Sequence, residues 1–189
     1  MRKGDPITTY SGVSFYILDP REEEILDVDM AHSLSLLCRA NGHFKHFYSI
    51  AQHALNCLLE ARTRGFNTRV QMACLVHDGS EAYISDITRP VKQYLPAYKD
   101  IEHTIQTIIF RRYGVENLTE EEQSQLALVD DILLYHEFAA LHRLSLTESL
   151  PEKLAEFDFS FRDMQEVEDE FLRELKGLSA QLSGEVKGA

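Results

Sequence analysis

Thr68-Arg69-Val70-Gln71-Met72-Ala73-Cys74-Leu75-Val76-His77-Asp78 decides the fold. Val70, Ala73, Cys74 and Val76 leave almost no polar stripe on a 3.6-residue period, which marks a helix buried in the middle of a bundle. We expect this helix over about 68–83. Its neighbours are punctuated clearly. Asp29 reads as the N-cap of a helix through Met30, Leu34, Leu37 and Cys38 that stops at Asn41-Gly42. Ser49 with Gln52 forms a capping box ahead of Ile50, Ala54, Leu55, Leu58 and Leu59. A helix over about 97–113 is ended by Gly114. Thr119 with Glu122 is a second capping box, opening a long helix through Leu141. A last helix over about 161–182 carries Met164, Val167, Phe171, Leu175 and Leu178 on one stripe, which could serve the core or a partner.

Two segments depart from helical periodicity. The opening has β-prone runs on either side of Ser11-Gly12, a hairpin over about 7–18 that Asp19-Pro20 closes. Between the third and fourth helices, Ile84-Ser85-Asp86-Ile87-Thr88-Arg89-Pro90 reads as a functional loop, with Pro90 pushing Arg89 out of helical geometry. The expected class is all-α, one domain over 1–189 with a small N-terminal β-hairpin and a frayed tail over 183–189.

Composition limits the partners. The 189 residues include 31 acidic and 19 basic side chains, a formal net charge of -12. Such a field repels polyanions, so no nucleic-acid polymer and no anionic membrane surface is expected. A small anionic ligand remains compatible where local cations or a metal reverse the sign. Cys38, Cys57 and Cys74 are odd in number and lack a C-x-x-C pair, which argues for buried free thiols and against a thiolate zinc site. With no apolar leader and no membrane-length run, the expected location is the cytoplasm.

The candidate chemistry begins where the buried helix closes. His77-Asp78 is followed by Glu81, which lies near both on a helical surface. A buried carboxylate without a partner costs several kcal/mol, so an ion or a hydrogen-bond network is required there. His53, one turn inside the Ser49 cap, sits beside an apolar face. Asp130-Asp131 interrupts the apolar run from Leu126 to Leu134, and helical phase turns one of the two inward. Asp130 is preferred, because Glu137 lies two turns along the same face; Asp131 stays open as the alternative. Three helices would then offer two imidazoles and two carboxylates to one centre.

The spaced set His53, His77-Asp78 and Asp130 resembles the H…HD…D pattern of the HD-domain metal-dependent phosphohydrolase superfamily. Phe47-Tyr48-Ser49-Ile50-Ala51-Gln52-His53 and the segment from His77 to Lys92, with its HD-x-x-E…D-x-x-R-P-V-K pattern, look like the branch with 5′-deoxynucleotidases and phage-type dATP triphosphohydrolases. So does Met30 to Arg39, continuing to Gly42-His43. The resemblance runs over about 15–141. It implies an HD-domain helical bundle and a metal-dependent nucleotide phosphohydrolase, in which an activated water attacks phosphorus. It implies His53, His77, Asp78 and Asp130 as metal ligands, Glu81 as the catalytic acidic residue, Asp86 near the sugar, and Arg39 and Lys92 near phosphate. His and carboxylate ligation favours one divalent ion among Mn, Co, Fe, Ni and Zn, the softest options being removed by the lack of thiolates. The expected substrate is a small deoxynucleotide, as mono- or triphosphate, and a homo-oligomer is expected from the family. Two rivals are a guanosine alarmone hydrolase and a non-catalytic helical interaction protein. His32 reads as a packed, satisfied histidine, His43 and His46 as loop residues, and the acids of 166–174 as a solvated face. Phe47 and Tyr48 stay open between core and base-stacking roles.

Overall fold

The computed structural model describes residues 2–142 and 145–188, with side chains through residue 184. In chain order the elements are β1 (Ile7–Thr8), β2 (Ser14–Phe15), α1 (Asp27–Leu36), α2 (Ile50–Thr63), α3 (Thr68–Val76), α4 (Glu81–Ile84), α5 (Arg89–Lys92), α6 (Pro96–Arg112), α7 (Glu120–Leu141) and α8 (Met164–Gly188). The architecture is all-α with a small antiparallel hairpin, in which Ile7 faces Phe15 and Thr8 faces Ser14. The apolar stretch over 68–76 is the central helix, with α2, α6, α7 and α8 packed against it. From Val70 to Val76 only Gln71 escapes full burial. Val167, Phe171, Leu175 and Leu178 of α8 are also buried, so that stripe serves this chain's own core. No helix among the described residues is long and apolar enough to cross a membrane.

Both capping boxes form, and each joins a side-chain oxygen to the N3 amide and an N3 side chain to the cap amide. Several boundaries differ from expectation. Asp29 is not an N-cap: α1 starts two residues earlier, and the Asp29 carboxylate instead accepts from the amide and hydroxyl of Ser11 at 2.6 and 2.8 Å. It thereby ties the hairpin turn to α1. That helix ends at Leu36 rather than at Asn41-Gly42. Ala40, Asn41 and Gly42 nevertheless supply a left-handed run, with φ of 54°, 51° and 76°. Arg89 is not driven out of helical geometry, because Pro90 occupies the first turn of the short α5, where a missing N–H costs nothing. The expected helix start at Phe161 moves to Met164, and backbone helix continues through Gly188 where fraying was expected; Ala189 lies outside the described residues.

The main correction falls on the third helix, which does not run to residue 83. It stops at Val76, turns through 77–80 and resumes as α4. Gln106 of α6 bridges the break, its amide donating to Val76 O at 2.7 Å and its carbonyl accepting from the Ser80 amide at 3.0 Å. Gly79 lies where a Cβ would meet Met30 Sδ at 2.9 Å and Val76 O at 3.0 Å. A side chain there would push α1 away from the turn.

Residues 145–163 cross α2 without regular structure among the described residues. Three polar side chains one turn apart on α2 hold this strap. Gln52 donates to Ser160 O at 3.1 Å and Asn56 donates to Asp158 O at 3.1 Å. Glu60 accepts from the amides of Leu154 and Ala155 at 3.0 and 2.8 Å and from Arg64 Nε at 2.8 Å.

Candidate metal centre

The Ser49 cap sets the phase of α2, so that His53 points inward and is fully buried. His77 is the C-cap of α3, and Asp78 follows it in the turn. Asp130 comes from the middle of α7. These four side chains converge. His53 Nε2 lies 3.2 Å from His77 Nε2, 3.3 Å from Asp130 Oδ1 and 3.8 Å from Asp78 Oδ2. His77 Nε2 lies 3.4 Å from Asp78 Oδ2 and 3.7 Å from Asp130 Oδ1. Asp131 stays outside, 56% exposed and beside Arg89.

The outer partners of the imidazoles decide what these atoms can do. His53 Nδ1 lies 2.7 Å from Glu137 Oε1. A carboxylate only accepts, so Nδ1 carries the proton and a neutral ring presents its Nε2 lone pair inward. His77 Nδ1 lies 2.9 Å from Cys74 O, which fixes its tautomer in the same way. The two Nε2 atoms then face two carboxylate oxygens, an arrangement that draws a proton or a cation between them. Burial opposes protonation of His77, yet Asp78 and Asp130 outweigh it and push its pKa up to about 9. Burial and Arg39 oppose the charge on His53, which Glu137 and Asp130 nevertheless raise. The same imidazoles hold Asp130 well below the carboxylate range against its own burial.

The cluster thus draws positive charge, as protons on the imidazoles or as a cation that it could hold. Ligands about 2.0–2.1 Å from a tetrahedral ion stand about 3.4 Å apart, and the separations above bracket that value. His53, Cys57 and His77 also bring one donor atom each to within 4.8 Å of one another and could hold a metal ion. Cys57 is a buried free thiol as expected, but its place in this group departs from the expected ligand set without thiolates. It follows His53 by one helical turn, with Sγ 3.4 Å from Nε2, and burial pushes its thiol pKa well up. The i, i+4 spacing on a capped helix was the available signal.

The other candidate residues surround this point. Arg39 leaves the short antiparallel bridge between Cys38 and Ser49. Its Nε donates to Glu137 Oε2 at 2.7 Å, and its terminal nitrogens reach Asp78 Oδ2 at 3.5 Å and Asp130 Oδ1 at 3.9 Å. Glu81 is buried, with Oε2 lacking a hydrogen-bond partner. Burial, Asp78 and Asp86 together raise its pKa well above the carboxylate range. Asp86 follows Ser85, whose φ of 68° turns the chain after α4, and burial raises its pKa as well. Lys92 is held 2.5 Å from Glu102 Oε1. Arg89, at the start of α5, donates to Asp130 Oδ2 at 3.0 Å while remaining 68% exposed.

Tyr48 is fully buried and receives a hydrogen bond from Asn56, so it is a core aromatic. His32 pairs with Glu168 at 2.9 Å and stacks on Tyr10, so Glu168 does not belong to a solvated face. A cavity of about 390 Å³ is lined by His77 and Asp130 together with Phe110, Leu118, Leu126 and the polar Gln123 and Glu116.

No family model matches the chain. Over 109 residues it is 40% identical to the uncharacterized protein YfdR of Escherichia coli, an alignment covering 58% of each chain. Over 110 residues it is 30% identical to the uncharacterized protein RCAP_rcc00048 of Rhodobacter capsulatus, covering 56% of each. The chain thus spans less than three fifths of the curated relatives it matches, and their names assign no activity.

Proposed function

We propose that this protein is a divalent-metal-dependent phosphohydrolase acting on small nucleotides, with deoxynucleotides as the substrate class that the resemblance to HD-domain enzymes suggests. The observation that carries the reading is the confrontation of His53 Nε2, His77 Nε2, Asp78 Oδ2 and Asp130 Oδ1, with five of their six pairs at 3.2–3.8 Å. Held by these residues, a divalent ion would supply Lewis acidity at the phosphoryl oxygens and a hydrolytic water near neutral pH.

Each neighbouring side chain then has a physical task. Glu137 and Cys74 O orient the two imidazoles through their outer nitrogens. Arg39 balances the carboxylates and contributes a planar cation facing the phosphate. Arg89 can exchange Asp130 for a phosphate oxygen, because it is exposed and its present partner lies in the cluster. Glu81 holds or moves the proton, since its surroundings keep the carboxyl protonated at pH values where an ordinary one is ionised. The cavity beside His77 and Asp130 has apolar walls for a nucleoside.

The test is a panel of nucleoside mono- and triphosphates with Mn2+, Co2+, Ni2+ or Zn2+ added, and products separated by anion chromatography. Release of phosphate or tripolyphosphate that depends on added metal is the expected result. Metal-replete protein that turns over no nucleotide would overturn the proposal.

A further inference from the structure

We propose that Cys57 provides this centre with a second donor set, His53, Cys57 and His77, which selects a thiophilic divalent cation of the Zn2+ or Cd2+ class over the harder Mn2+. The inference rests on reading the cluster as a metal centre and concerns which ion it takes. Cys57 Sγ is 3.4 Å from His53 Nε2 and 4.0 Å from Nδ1, so the sulfur stands beside the ring, nearer the nitrogen that faces the cluster. With metal–sulfur and metal–nitrogen bonds of about 2.3 and 2.0 Å, sulfur and nitrogen on one tetrahedral ion stand about 3.5 Å apart.

Two contrasts separate this thiol from an ordinary buried cysteine. Cys74 lies in the same apolar cluster, but it meets a ring nitrogen, His77 Nδ1, through its carbonyl oxygen and not through its sulfur. The carboxylates of Asp78 and Asp130 are already engaged by Arg39 and Arg89, whereas the Cys57 sulfur makes its contact with an imidazole and feels Arg39 only through space. A hard ion must compete with two guanidinium groups for its oxygens. A thiophilic ion meets two imidazoles and a sulfur without that competition, and soft donors favour it further. On binding, the sulfur lone pair forms the metal–sulfur bond, the S–H bond breaks, and its proton leaves to water. No electrons change owner.

Titration of the metal-free full chain with Cd2+ tests this. The expected result is a near-ultraviolet sulfur-to-cadmium charge-transfer band that saturates at one equivalent. It should survive in the Cys38→Ala/Cys74→Ala double variant and vanish in Cys57→Ser. Cd2+ affinity should fall by about tenfold or more in Cys57→Ser, while Mn2+ affinity stays within about twofold. Should Cys57→Ser fail to fold, cadmium NMR on the unmodified protein reports sulfur ligation directly. A full equivalent of Cd2+ bound with no charge-transfer band and a nitrogen–oxygen chemical shift overturns the inference and leaves the metal centre standing. No divalent ion bound at all overturns both.

Discussion

Helix α2 buries two sets of polar side chains on adjacent faces, and they are built on opposite principles. Gln52, Asn56 and Glu60 are matched: amide donors meet the carbonyls of Ser160 and Asp158, and a carboxylate meets the amides of Leu154 and Ala155 and the Arg64 guanidinium. Nothing further is required, and the set acts as a structural seam. His53, on the neighbouring face, meets a lone pair on His77 and oxygens on Asp78 and Asp130. Burial alone therefore does not mark a functional residue. Complementarity does: the matched set holds the fold, whereas the His53 cluster crowds two imidazoles against carboxylates that Arg39 and Arg89 also contact, and could hold a cation.

The comparison can be broken by substitution. The largest effect is expected from Asp78→Ala, which should lose both bound Mn2+ and Mn2+-dependent turnover to background while keeping its melting temperature. Glu81→Ala should retain the metal and lose turnover by about 100-fold or more, so elemental analysis beside kinetics separates the two roles. On the matched set the outcome reverses. Glu60→Ala strands two amides and an arginine, costing about 3 kcal/mol and lowering the melting temperature on the order of 10 °C, with turnover per folded molecule preserved. If calorimetry shows Asp78→Ala to be the destabilised variant and Glu60→Ala neutral, the distinction between the faces fails.

Two smaller effects sharpen it. Glu137 bonds both His53 and Arg39, so Glu137→Gln should weaken metal affinity by about 10- to 100-fold, read by chelator competition. Arg89→Ala removes an exposed cation worth roughly 1 kcal/mol. It should raise KM for a nucleotide about fivefold with kcat nearly unchanged, and an equal fall in kcat would instead place Arg89 in the chemical step.

Local sequence carried the caps, because each capping box needs only residues three apart, and it carried the central helix through its all-round apolar pattern. The α3 break was not legible. The stretch from Thr68 to Tyr83 has no proline, and the break is stabilised from α6, where Gln106 satisfies the interrupted backbone at Val76 and Ser80. The strap was equally hidden, since the partners of Gln52, Asn56 and Glu60 are backbone atoms about 100 positions away, at separations of 108, 102 and 94 to 95 residues.

At the candidate centre, residue types and spacing singled out His53, the His77-Asp78 pair and one of Asp130 and Asp131, and the resemblance to HD-domain proteins joined them into one ligand set, although His77 and Asp78 lie in the turn after α3 rather than on a continuous helix. Sequence by itself thus determined the helical class, the two capped helices and the polar residues forced inward. Tertiary structure alone decided that Asp130 rather than Asp131 faces the imidazoles, that Arg89 and Arg39 hold the carboxylates, and that a thiol stands beside His53. Those are questions of distance between side chains from different helices, and periodicity along one helix sets the direction of a side chain without setting what it meets.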